Sequence, residues 1–147
     1  MSILENPKYS YLIGKQSIFF RFWKKIFYYY CNTVFSLYTP VKISGRENLP
    51  SESAIFCSNH NSHMDVALIS SAAGKSFNHF GMLAAIDYWF DSRIKKILTN
   101  FVMNLIPIAR KSSVKDGSIS FQDTIALCSR FMDYGNRNIV ILSLIHI

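Results

Sequence analysis

The sequence predicts an α/β domain preceded by an amphipathic helix, and three observations carry that expectation. Short apolar runs bounded by turn residues alternate with longer stretches whose apolar positions recur at a helical period, so strands and helices follow one another along the chain. At 147 residues, half of them hydrophobic, the chain can bury one core and is neither disordered nor of low complexity. The excess charge is confined to one end. From Asn6 to Arg46 there is no acidic residue against Lys8, Lys15, Arg21, Lys24, Lys25, Lys42 and Arg46, whereas the remainder is balanced.

That basic segment contains a predicted helix from Ser17 to Tyr38, crowded with aromatics. Polar positions at Arg21, Lys24 and Lys25, Tyr28, Asn32 and Ser36 form one narrow stripe on a broad apolar surface. The charge-free stretch from Ile26 to Val41 is too short and too polar to span a bilayer. It also lacks the cleavage pattern of a signal peptide. A helix lying in a membrane interface fits, with Arg21, Lys24 and Lys25 on anionic headgroups and Trp23 and Phe27 in the acyl boundary. The competing reading packs the aromatic face on the protein's own core. Nucleic acid is disfavoured as a partner, because the aromatics outnumber what base stacking uses and no recognised motif accompanies them. Cys31, Cys57 and Cys128 are odd in number and widely spaced, which suggests buried thiols rather than disulfides or a zinc site.

Beyond the helix, strands are predicted at Val41 to Gly45, Ala54 to Ser58, Phe80 to Ala85, Ile106 to Ala109 and Asn138 to Ile141. Pro107 assigns the fourth of these to an edge or a strand start. Helices are predicted from Ser62 to about Ser71, from Ser92 to Asn104 and from Ser118 to Asp133, the last closed by Gly135.

Asn59-His60-Asn61-Ser62-His63-Met64-Asp65 is the stretch that bears chemistry. It sets a histidine at the end of a buried strand and a carboxylate in the first turn of the next helix. A carboxylate on one imidazole nitrogen fixes the tautomer and stabilises the imidazolium formed on proton abstraction. His60 is therefore the candidate base and Asp65 its partner. A plain capping box, in which Asp65 reaches back only to the Ser62 backbone, explains the same pattern. His63 is a rival base that projects from another side of the helix.

The His-four-residues-Asp motif, preceded by Asn59 and by Gly45-Arg46-Glu47-Asn48-Leu49-Pro50, resembles the first motif of the phospholipid/glycerol acyltransferase family, whose best-known members are lysophosphatidic acid acyltransferases. Asn104-Leu105-Ile106-Pro107-Ile108-Ala109-Arg110 resembles the second, with Asn104 where glycine is common. The resemblance implies a glycerolipid acyltransferase-like mixed sheet flanked by helices. It implies direct transfer of a fatty acyl group from acyl-CoA or acyl-carrier protein to the free hydroxyl of a lysophospholipid. His60 is then the base, Arg110 a ligand of the acceptor phosphate, and Asn59 and Ser62 border the acceptor. No acyl-enzyme, metal or cofactor is required. Membrane lipids, the lysophospholipid and the acyl donor are the implied partners, and the implied location is peripheral or monotopic on the cytoplasmic face of a membrane. Oligomeric state stays open. The alternative is a catalytically inactive module that binds membrane surfaces.

Three segments are expected. Residues 1–40 form the basic aromatic interface segment, and residues 41–141 the N-terminal part of the acyltransferase domain. Residues 142–147 stand where the family continues into its third motif, and they resemble translated sequencing adapter. They are expected to be a non-native tail, the gene being cut short, so that the polypeptide alone is weak or inactive. A native stop codon at this point in the intact gene overturns that expectation.

Overall fold

Strands that are apolar on both faces require cover on both sides, and the computed structural model has that arrangement except along residues 55–59, where Ile55, Cys57 and Asn59 are exposed. It describes residues 3–60, 62, 64–90, 92–109 and 119–143. In chain order the regular elements are α1 (Ser10–Ile13), α2 (Ile18–Leu37), β1 (Ile55–Asn59), α3 (Asp65–Ala73), β2 (Phe80–Ala85), α4 (Ile86–Trp89), α5 (Arg93–Val102), β3 (Asn104–Ile108), α6 (Phe121–Asp133) and β4 (Asn138–Ser143). The strands form one sheet in the order β1-β4-β2-β3. Every pairing is parallel. The α/β class is as expected. The mixed sheet implied by the resemblance would need an antiparallel strand, and the described residues contain none, because each successive strand is reached through a helix.

The two faces of the sheet divide by alternate residues. Ile106, Ile139 and the partly buried Leu83 and Ile141 meet Leu127 and Phe131 of α6, together with Tyr9 and Leu12 from the N-terminal turns. Phe80, Val140 and the partly buried Phe56, Met82 and Leu142 meet Cys31 and Phe35 of α2, Val66 and Ala67 of α3, and Phe77. At Gly81 the missing side chain lets α6 sit close: a Cβ there would stand 2.9 Å from both the Phe131 ring and the Ile106 methyl. Ser120 caps α6 through a reciprocal box with Asp123, and Gly135 follows the helix at φ 79°.

Four expected strands are present within two residues of their predicted bounds, and β3 with Pro107 lies at a sheet edge. The strand expected at Val41 to Gly45 is absent. The edge strand β1 pairs with β4 alone, and the segment runs over the surface with Val41 exposed, ending in the left-handed Gly45. Alternation alone did not reveal that it has no strand to pair with.

Helix α2 turns Lys24 and Asn32 of its polar stripe inward, while Arg21, Lys25 and Ser36 stay exposed. Lys24, fully buried, donates from Nζ to Gln16 Oε1 at 2.7 Å and to Asn100 Oδ1 at 3.1 Å. Gln16 Nε2 then donates to Asn104 Oδ1 at 2.6 Å, and Asn104 Nδ2 donates to the carbonyls of Phe77 and Phe80. Asn32 accepts from Ser71 Oγ at 2.6 Å, joining α2 to α3. This polar chain pins α2, α5 and the start of β3 to one another.

Burial, reinforced by the Arg137 charge, lowers the Lys24 ammonium from its ordinary value to about 7. An unfolded lysine keeps its proton to about pH 10, so between those values the unfolded chain holds the extra proton. Stability therefore rises as the pH climbs from about 7 toward about 10, is lost as it falls back over the same range, and changes no further below about 7. The phenols of Tyr9 and Tyr11, raised by burial, act in the opposite sense but only above that range. Urea unfolding should show a gain on the order of 2 kcal/mol between about pH 7 and about pH 9. Lys24→Met should remove most of that gain; an unchanged slope in the variant would mean that Lys24 is not its source.

Candidate active site

The C-terminal ends of parallel strands are where polar loops escape the helical cover. β1 ends at Asn59, and His60 follows at once, so the imidazole stands at that end of the sheet. Asp65 opens α3. The intervening turn brings His60 Nδ1 and Asp65 Oδ2 to 3.0 Å. The histidine side chain is 28% exposed and the aspartate 13%, so the ring is reachable while the carboxylate is largely withdrawn from water.

The turn is built around that carboxylate. Asp65 Oδ2 also accepts the Ser62 N–H at 3.0 Å, and Ser62 Oγ accepts the Met64 N–H at 3.1 Å. The capping pattern and the imidazole contact, rivals on the sequence alone, are satisfied together by one oxygen. Such an arrangement holds an imidazole in one tautomer, with Nδ1–H donated to the carboxylate, and stabilises the ring when Nε2 takes a proton. Asn59 and Ser62 are both exposed beside it. His63 and Arg110 lie outside the described residues, as does Asn61.

Arg46 clamps the far end of the helix that bears Asp65, which the sequence did not disclose. Its Nε donates to the Ala72 carbonyl at 2.7 Å and its Nη2 to the Ser71 carbonyl at 2.9 Å. These are carbonyls of the last turn of α3, which ends at the left-handed Gly74. A cation there satisfies free carbonyls and complements the helix dipole. The available signal was a lone arginine in the turn Gly45 to Pro50; what it could not show was that the turn folds against the far end of the helix bearing Asp65.

Of the residues expected at a membrane, Arg21, Trp23 and Lys25 are exposed. Two are corrected. Lys24 is fully buried, because Gln16 and Asn100 supply oxygens on the inner side of α2. Phe27 is half-buried, its ring 5.3 Å from that of Phe77. Helical periodicity locates a stripe without saying which way it faces. The exposed side of α2 carries Phe19, Phe22, Trp23 and Ile26, and α5 adds Ile94, Ile97 and Leu98. Phe101 joins the two helices through edge contacts with Phe19 and Trp23 at 5.6 and 6.3 Å. No helix among the described residues is long and apolar enough to cross a membrane.

A family model described as Acyltransferase matches residues 40–141, a span that includes β1, the His60–Asp65 turn, β2, β3 and the first four residues of β4. No curated protein and no solved structure matches the chain.

Replacing Arg46 by alanine removes two hydrogen bonds to the end of α3 from an exposed side chain. The expected cost is about 1 kcal/mol, read in thermal denaturation as a melting point lower by several degrees. An unchanged melting point would show that the clamp contributes nothing in solution.

Proposed function

Given that the chain belongs to the acyltransferase family, we propose that it transfers a fatty acyl group from the thioester of acyl-CoA or acyl-carrier protein to the free hydroxyl of a lysophospholipid, with His60 as general base. The observation that carries this reading is the 3.0 Å contact between His60 Nδ1 and Asp65 Oδ2 on a part-exposed ring at the strand end. With Nδ1 engaged by the carboxylate, Nε2 takes the hydroxyl proton as the oxygen attacks the thioester carbonyl. The tetrahedral adduct then collapses, the C–S bond breaks, and the thiolate leaves and recovers the proton from the imidazolium. The new ester bond replaces the thioester without an acyl-enzyme, and no metal or cofactor takes part.

Arg110 belongs to the same reading as a bidentate ligand for the acceptor phosphate, since a guanidinium fork matches two phosphate oxygens. Asn59 and Ser62, exposed next to His60, contribute polar contacts to the acceptor. The apolar outer face shared by α2 and α5 supports a peripheral or monotopic station on the cytoplasmic face of a membrane, where both amphiphilic substrates reside. That face also favours a second reading, a membrane-binding module without catalysis. Vesicle binding by a chain that transfers no acyl group would select it.

His60→Ala should lower acyl transfer by about 10²–10⁴-fold while circular dichroism stays unchanged. Asp65→Asn should also slow the reaction, chiefly in kcat. Turnover by His60→Ala equal to that of the parent would remove His60 from the chemistry. Trp23→Asp and Ile97→Asp should each weaken partition onto lipid vesicles by about tenfold or more, given the apolar area withdrawn from the bilayer. Partition that ignores both changes would remove the α2–α5 face from membrane contact.

A further inference from the structure

At the opposite end of the sheet from His60 lies a second concentration of charge. The segments that lead into β2 and β4 meet the N-terminal part of α2 around a cleft of about 540 Å³. Lys15, Arg21, Lys25, His79 and Arg137 line it, and no acidic residue does. β1 and β4 run in parallel from Ile55 and Ile139 to Asn59 and Ser143. At 3.3 Å per residue the cleft therefore lies about 20 Å from the His60 end.

Like charges are not gathered without cost. Among the described residues Lys15, Arg21, Lys25 and Arg137 have no carboxylate partner. Arg137, 9% exposed, has its guanidinium stacked 5.0 Å over the Phe131 ring and 4.8 Å over that of Tyr134. One of its N–H groups donates to the Leu12 carbonyl at 3.4 Å, and the fork carries further donors. Asn78 ties the wall to α2 by donating from Nδ2 to the Arg21 carbonyl at 2.9 Å, while its Oδ1 is buried without a hydrogen-bond partner. The walls are thus fixed by bonds that leave the positive groups facing one space. His79 responds to that field: desolvation lowers its imidazole, and the charges of Lys75, Arg137 and Arg21 lower it further.

We propose that this cleft is a binding site for a phosphate group, distinct from the catalytic end of the sheet. A phosphate carries the two negative charges and several acceptor oxygens that an arginine-lysine-histidine cluster satisfies. The Asn78 Oδ1 suits a donor on the ligand, such as a protonated phosphate oxygen or a neighbouring hydroxyl. Because α2 also bears the exposed aromatic face, the phosphate can belong to an anionic lipid headgroup at the bilayer surface or to a soluble phosphate compound. The proposal does not depend on His60, and its test measures binding without acyl transfer.

The test uses the whole chain with two probes, inorganic pyrophosphate and phosphatidylcholine vesicles with or without phosphatidic acid. The paired change Arg21→Gln and Lys25→Gln removes two cations of the cleft. Lys8→Gln with Lys42→Gln removes the same charge elsewhere in the basic segment. Pyrophosphate affinity that falls at least about tenfold in the first pair and holds in the second identifies the cleft and a soluble source. Selective loss of the phosphatidic acid dependence in the first pair identifies the cleft and a lipid source. In either case His79 should titrate at higher pH once the anion is bound, followed by its imidazole proton resonance. Binding of neither probe, or equal weakening by both pairs, overturns the proposal.

Discussion

A parallel sheet whose strands are apolar on both sides must be covered on both sides, and this constraint governs where the molecule can do chemistry. α2 and α3 take one face; α6 and the N-terminal turns take the other. Polar groups that require water or a ligand are left with the two ends of the strands. His60 and Asp65 occupy one end, and the cationic cleft with His79 and Arg137 occupies the other. Each strand thus separates two electrostatically different environments along a single axis. The separation follows from hydrogen-bond geometry and burial before any ligand is considered.

The N-terminal helix resolves a conflict in its own sequence. Its aromatics are too many to fit beneath it, and its polar stripe is too narrow to solvate it. The chain answers by turning Lys24 and Asn32 toward the interior and exposing Phe19, Phe22 and Trp23. This inward turn costs the burial of an ammonium, offset by Gln16 and Asn100 and by a proton that is easily lost. The gain is orientation. A hydrogen-bonded Lys24–Gln16–Asn104 chain admits one rotation of α2, whereas purely apolar packing tolerates several. The same rotation leaves Trp23 outside, in line with α5.

Much of this was legible in the sequence, for identifiable reasons. β2 and α6 were recoverable because an apolar run, and a helical period closed by Gly135, encode themselves locally. The His60–Asp65 pair was recoverable because both partners sit within one turn, five residues apart. Features that depend on distant partners were not. The burial of Lys24 rests on residues 8 and 76 positions away. The Arg46 clamp reaches across 26 positions. The Val41–Gly45 segment looked like a strand since its own pattern cannot report that no neighbour is there to pair with it.

One oxygen of Asp65 both begins a helix and orients an imidazole. The two tasks cannot be separated by local motion. If the first turn of α3 frays, the carboxylate leaves His60 at the same moment, and the proton-accepting geometry disappears while the sheet beneath is still intact. The opening free energy of that single turn, rather than the global stability of the domain, thereby limits how much of the folded population carries the His60–Asp65 contact.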